Sequence, residues 1–138
     1  MLLDERYNEI RDMVRKFADS EVAPLAMSID HEGKIPSELI GKLAENGFLG
    51  SYIPEEYGGA GLDYQSYALI VEEISRACAS TGVFVSAHTS LAVWPILQFG
   101  TKEQKEKYLP KMAAGEMIGC FCLSEPNAGS DAGSLTTF

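Results

Sequence analysis

Only one stretch of this chain alternates like a β-strand, and it stands alone. In residues 117–123 both alternating faces are apolar: Met117, Phe121 and Leu123 on one, Ile118, Cys120 and Cys122 on the other. A strand buried on both faces needs neighbours. The chain offers none, because it runs only fifteen residues further. One strand makes no sheet. The pattern therefore predicts an all-α N-terminal domain of about five helices, followed by the first strand and loop of a truncated β domain. The boundary falls between residues 1–115 and 116–138.

The helices upstream are legible from spacing. Tyr7, Ile10, Val14 and Phe17 recur at helical period, with Glu5, Arg11, Arg15 and Lys16 off that stripe. Asp4 stands where an N-cap is needed, Pro24 should kink or end this first helix, and Gly33 stops what continues. A second helix is predicted over 36–45, closed by Asn46-Gly47. Residues 48–61 read as a loop punctuated by Pro54, Gly58, Gly59 and Gly61. Asp63 then caps a third helix with the stripe Tyr64, Tyr67, Val71, Ile74 and Cys78. A fourth helix should start near Ser80 or Thr81 and end before Gly100. It is apolar nearly all round, which predicts a buried central helix. Thr101-Lys102-Glu103-Gln104 reads as a capping box opening a fifth helix, ended by Gly115.

The charge balance narrows the partners. There are 20 acidic and 11 basic residues, a net charge of −9. Such a chain is a poor candidate for nucleic acid or an anionic membrane surface. Uninterrupted apolar runs such as 91–97 are too short to span a bilayer, so no membrane insertion is expected. The first eleven residues have no apolar core of a signal peptide. Cys78, Cys120 and Cys122 fit neither a disulfide framework nor a usual zinc pattern, and no metal site is expected. They read as reduced thiols of a cytoplasmic protein.

The strand-like run ends in Ser124-Glu125-Pro126-Asn127-Ala128-Gly129-Ser130-Asp131, a loop of hydroxyls, a proline, a glycine and a Ser-Asp pair. A strand ending in such a loop can hold polar ligand atoms with backbone N–H groups and hydroxyls. The segment Phe121-Cys122-Leu123-Ser124-Glu125-Pro126-Asn127-Ala128-Gly129-Ser130-Asp131 closely resembles the flavin-binding signature of the acyl-CoA dehydrogenases. Pro54-Glu55-Glu56-Tyr57-Gly58-Gly59 resembles that family's Gly-rich turn, and Gln98-Phe99-Gly100-Thr101-Lys102-Glu103-Gln104-Lys105 its helix–turn–helix segment. The resemblance runs in order through nearly the whole chain and leans toward the short-chain, butyryl-CoA-type members.

That resemblance implies an N-terminal helical domain, a central β domain and a C-terminal four-helix bundle, of which this chain matches the first and the start of the second. It implies FAD as cofactor and oxidation of an acyl-CoA to the trans-2-enoyl-CoA, a base taking the α-proton while hydride passes from the β-carbon to the flavin. Phe121, Cys122, Leu123, Ser124, Gly129 and Ser130 are then the cofactor-binding residues. The Ser124 hydroxyl and nearby amides would stabilise charge as the ring accepts hydride. Gly129 has no Cβ to keep the backbone away. Ser130 would face the flavin pyrophosphate or the pantetheine of the substrate. Val83, Phe84, Ala87 and Leu91, roughly one turn apart, are candidate walls of the acyl pocket. The family's catalytic Glu lies on the C-terminal bundle, beyond residue 138, so no catalytic residue is assigned. An electron-transferring flavoprotein as acceptor and a homotetramer are implied on the same ground.

Each feature has a plainer reading. The 127–131 loop would serve as a surface turn, with Ser130 or Asp131 as a helix cap. Val83, Ala87 and Leu91 would be plain core. His88 would be a core histidine bonded to a backbone carbonyl, or a group that touches substrate. His31 reads as a surface residue, Cys120 and Cys122 as small apolar strand residues, and Glu55, Glu56, Lys105 and Lys107 as solvated charge. FAD and CoA are polyanions, so binding would have to rest on oriented amides and hydroxyls, or on basic residues beyond residue 138. Two functions stay open: part of a dehydrogenase inactive by itself, or a non-enzymatic helical binding or assembly module.

Overall fold

The structure, a computed structural model, describes residues 4–137. Helix α1 (Glu5–Phe17) follows Asp4, which takes the N-cap place without lending its side chain to a backbone amide. Val14 is fully buried, with Ile10 and Phe17 packed beside it, so the predicted stripe faces the core. The chain then widens into a π turn (Ala18–Val22), tightens into a 3₁₀ turn (Ala23–Leu25) and continues as α2 (Ala26–Glu32). Gly33 ends it in the left-handed region, φ 63°. Helix α3 (Ser37–Glu45) follows.

Helix α4 (Tyr64–Ala77) opens on Asp63, whose carboxylate accepts the Ser66 amide at 2.8 Å. Cys78 adopts an extended conformation and separates α4 from α5 (Ala79–Ser86). A second π turn (Ala87–Val93) and α6 (Trp94–Phe99) continue α5 without a break. Helix α7 (Lys102–Ala113) opens on the predicted capping box: Thr101 Oγ1 accepts the Gln104 amide, and Gln104 Oε1 accepts the Thr101 amide. Counted as continuous bodies, the described residues hold five helices: 5–32, α3, α4, Ala79–Phe99 and α7.

Both π turns precede a proline by one residue. Ala23 donates to the Ala18 carbonyl and Trp94 to that of Thr89, and Pro24 and Pro95 come next. A proline inside a helix lacks an amide, and its ring crowds the carbonyl four residues back. The wider turn absorbs that misfit. Pro24 therefore does not end the first helix, which passes it through π and 3₁₀ geometry.

Helix α4 packs between α1 and α5. Val14, Leu39, Leu43, Phe48, Ile70, Ile74 and Val85 form the main core. A second cluster, Tyr52, Ile53, Val93, Leu109 and Met112, joins the Ala79–Phe99 helix to α7. The 48–61 loop is itself a core element. Phe48, Leu49 and Ile53 are fully buried, and the loop meets its own polar groups: Gly50 O accepts Ala60 N, Ser51 O accepts Leu62 N, and Ile53 O accepts Gly61 N.

Three expectations change. The buried face of α4 is Ser66, Leu69, Ile70, Glu73 and Ile74, while Tyr64 of the predicted stripe is largely exposed. The turned face brings Glu73 to the core boundary, where Arg15 binds it in fork geometry (Nε–Oε2 3.0 Å, Nη2–Oε1 2.6 Å) and Arg76 Nε adds a contact at 2.9 Å. Secondly, the fourth helix is not buried all round, since Val83, Leu91 and Phe99 are exposed. At 21 residues it is long and apolar enough to cross a membrane by length and composition, which the uninterrupted runs did not suggest. Its inner side, with Thr81, Val85, His88, Thr89 and Val93, is a wall of the helical core. Thirdly, 118–124 form no ladder: among the described residues the β pairing is the isolated bridge Glu125–Ala128. Cys120 and Cys122 are exposed there rather than buried on a strand face. Alternation sets which atoms favour burial, and among the described residues no second strand is present to bury them.

Candidate functional site

The 117–131 segment leaves α7 and turns back across the Ala79–Phe99 helix. The Met117 amide donates to the Lys111 carbonyl. Two residues on, the Gly119 amide donates to His88 Nδ1 at 3.0 Å. Gly119 fits because it lacks a side chain: a Cβ there would stand 2.3 Å from Ala92 Cβ and 2.6 Å from Met112 Cε. Below this crossing lies an apolar groove of about 560 Å³, walled by Leu91, Pro95, Ile96, Met112, Met117 and Phe121 among others.

Leu91 and Phe121 thus meet in one groove. Val83, Phe84 and Ala87 do not line it. Val83 points to solvent, whereas Phe84 packs on the main core and stacks at 6.5 Å over His88. The four candidate wall residues therefore do not share one face.

Beyond Phe121 the candidate cofactor residues are open. Cys122, Leu123 and Ser124 are exposed, and their amides pair with no backbone carbonyl among the described residues. The Glu125–Ala128 turn is closed by paired backbone bonds at 3.0 and 3.1 Å, with Ala128 as its buried anchor. Gly129 and Ser130 follow, exposed, and nothing lies within 4 Å of where a Gly129 Cβ would stand. Asp131 is a local cap, accepting the Gly133 amide and the Ser134 hydroxyl over the short turn Ala132–Ser134. The plainer reading of Asp131 thus holds.

Electrostatics sharpen the picture. Glu125 accepts the Thr136 and Thr137 amides, both at 2.9 Å, and the Thr136 hydroxyl. Those donors hold its carboxyl down to about 2. Cys120 and Cys122 lie 3.9 Å apart, sulfur to sulfur, and the neighbouring thiol pushes Cys120 above its ordinary value. His88 is 1% exposed, and burial lowers its pKa, partly offset by the Met112 backbone. Its Nδ1 accepts the Gly119 amide, a partner not foreseen, while the Met112 backbone is the neighbour that favours the charged ring. The His88–Gly119 contact and the π turn around it were missed from sequence. A proline inside an apolar helical run, Pro95, is the signal that marks the irregular turn.

Residues 4–116 match the family described as "Acyl-CoA dehydrogenase, N-terminal domain". The chain belongs to the acyl-CoA dehydrogenase family. Among curated relatives, the short-chain specific acyl-CoA dehydrogenase (mitochondrial) of Bos taurus is 47% identical over 135 residues, 98% of this chain and 33% of that protein. The acyl-CoA dehydrogenase of Bacillus subtilis (strain 168) is 50% identical over 128 residues, 93% of this chain and 34% of that protein. Solved acyl-CoA dehydrogenases superpose on nearly the whole of this chain. Butyryl-CoA dehydrogenase from Megasphaera elsdenii is 38% identical with a TM-score of 0.89, covering 99% of this chain and 37% of that one. The acyl-CoA dehydrogenase complexed with FAD from Bacillus anthracis is 39% identical with a TM-score of 0.88, covering 96% and 23%. A chain from the solved electron transferring flavoprotein of Acidaminococcus fermentans is 46% identical with a TM-score of 0.90, covering 97% and 35%. The chain thus spans about a third of the length of the curated relatives it matches.

Proposed function

We propose that this chain is the helical domain, and the opening of the β domain, of a flavin-dependent acyl-CoA dehydrogenase that oxidises a short acyl-CoA to the trans-2-enoyl-CoA. The carrying observation is the 121–130 segment: amides at 122–124 that pair with no backbone carbonyl among the described residues, and an exposed Ser124, beside an apolar groove, in a chain of this family. Division into 1–115 and 116–138 belongs to the same reading.

The residues fit FAD by chemistry. Phe121, Cys122 and Leu123 offer apolar surface, the amides of 122–124 and the Ser124 hydroxyl offer donors, and the backbone at Gly129 is unobstructed. Bound FAD would supply the hydride acceptor. The chain's own part is to bind and orient: donors aimed where charge develops lower a barrier more than the same donors in water. Ser130 is proposed to meet the pyrophosphate or pantetheine side, and Leu91 to bound the acyl end; Val83, Phe84 and Ala87 are kept as more distant wall candidates. Removal of the α-proton is assigned to no residue here. A FAD-bound relative supports the cofactor. The likeness to a chain of an electron transferring flavoprotein structure supports such a flavoprotein as acceptor. A homotetramer and a cytoplasmic location complete the reading.

Anaerobic dye reduction with a short acyl-CoA tests it. The 138-residue chain should reduce no dye, and a chain about three times as long, the length of the relatives, should do so and carry a flavin spectrum. Turnover by the short chain alone, or a colourless long chain, refutes the proposal. In the long chain, Ser124→Ala should lower turnover about a hundredfold or more, the usual scale for losing one such donor.

A further inference from the structure

The structure assigns His88 a positioning role: its Nδ1 fixes Gly119 on the helical domain and so sets the approach of residues 119–124 to the loop proposed for flavin. What is positioned rests on the flavin reading; the anchor itself does not.

Two independent constraints meet at Gly119. Its amide is held at 3.0 Å by a side chain that is 1% exposed. From the other side Ala92 and Met112 leave no room for a Cβ, so the backbone sits in a notch between the π turn and α7. The chain lines the groove on both sides of Gly119, from Met117 through Phe121, and Ser124 lies three residues beyond. A shift at Gly119 therefore carries directly into the proposed donors. An Nδ1 that accepts must be unprotonated, which puts the proton of the neutral ring on Nε2. Nε2 has no close hydrogen-bond partner among the described residues, and the Met112 backbone is the group nearby that favours a ring proton. The π turn that carries His88 is part of the device, because π turns re-aim side chains within a helix. With Nδ1 engaged by an amide, His88 is a holder of backbone, not a proton shuttle.

The test compares substitutions that keep or lose an acceptor at that point. His88→Asn places an oxygen near the Nδ1 position; His88→Leu does not. In the 138-residue chain, Gly119 amide exchange should rise about fivefold to tenfold in H88L, the scale of one hydrogen bond, and stay near the parent in H88N. The amides of Ile70 and Ile74 report whether the core stays folded. In the parent, a through-bond coupling between the Gly119 amide and His88 Nδ1 should be visible by nitrogen NMR. In the long chain, flavin retained after desalting should follow the same order, parent and H88N above H88L. Unchanged Gly119 exchange in a folded H88L, or no rescue by H88N, overturns the assignment; if H88L does not fold, absence of the coupling in the parent does so. Loss of flavin from every long chain, with the exchange pattern intact, would instead strike the flavin reading.

Discussion

Alanine in place of Gly41 and of Gly82 should move stability in opposite directions, although both glycines lie inside helices. In isolation each change is worth about 1 kcal/mol in favour of the helix. At Gly41, in α3, nothing lies within 4 Å of the added Cβ. There the gain should be expressed, about 0.5–1 kcal/mol. At Gly82, in α5, the added Cβ would stand 1.9 Å from Ser75 Oγ, 2.7 Å from Ser75 Cβ and 2.8 Å from Ser75 Cα. The hydroxyl can rotate away; the backbone of Ser75 cannot. Reaching ordinary van der Waals separation requires α4 and α5 to part by about half an ångström or more, against a core packed without slack. Helix α4 cannot simply yield, because its other side is held by α1 through Glu73 and by the buried Ile70 and Ile74.

Overpacking of this kind costs about 1–3 kcal/mol, and subtracting the helix gain of about 1 kcal/mol leaves G82A destabilised by about 1 kcal/mol, at most about 2. For a domain of this size that lowers Tm by several degrees, while G41A should raise it by a few. Thermal unfolding followed by circular dichroism, with urea midpoints as a check, reads both. Ser75→Ala combined with G82A should recover little, since the backbone of residue 75 still obstructs the added methyl. A G82A protein as stable as its parent, or more so, would show that α4 and α5 do not touch there and would refute the packing described.

Glu73→Gln should destabilise the domain by about 2 kcal/mol at neutral pH, below the full cost of breaking a buried pair because Arg15 and Arg76 can turn to water. The hydrogen bonds from Arg15 hold the Glu73 carboxyl below its ordinary value, so its contribution is complete above pH 4.5 and fades as pH falls through the lowered folded value. Urea midpoints of parent and E73Q should therefore converge in acid; a gap independent of pH would count against this. At the tail, Glu125 is held down to about 2, so its grip on Thr136 and Thr137 should persist through mild acid and release only as pH approaches that value. Amide shifts of Thr136 and Thr137 titrating near 4.5, the ordinary carboxyl value, would show that the clasp does not form in solution.

What sequence revealed was local, and what it missed was made by tertiary packing. The capping box at Thr101 and Gln104, the Asp63 cap and the Gly33 stop need only neighbours within a few residues, and all three stand as read. The loop at Ser124 was legible for the same reason. Glu73 was not: a helical stripe is read from apolar residues, and this carboxylate is buried only because Arg15 comes from a helix 58 residues away. His88 could be placed on an apolar helix, but its partner is an amide 31 residues downstream. Of the wall candidates Val83, Phe84, Ala87 and Leu91, only Leu91 lines the groove, and the π turn at Ala87–Val93 lies between it and the regular turn of Val83 and Phe84, so spacing at about 3.6 residues per turn does not carry across. The strand-like alternation of 117–123 is the instructive case. Its apolar period is real, yet Met117, Ile118, Phe121 and Leu123 remain partly exposed and no ladder forms. A period states what a segment must bury and is silent on the partner. On the reading proposed above, that unspent surface would be covered by the part of the relatives' length that this chain does not span, with Gly119, pinned by His88, as the fixed point of the segment.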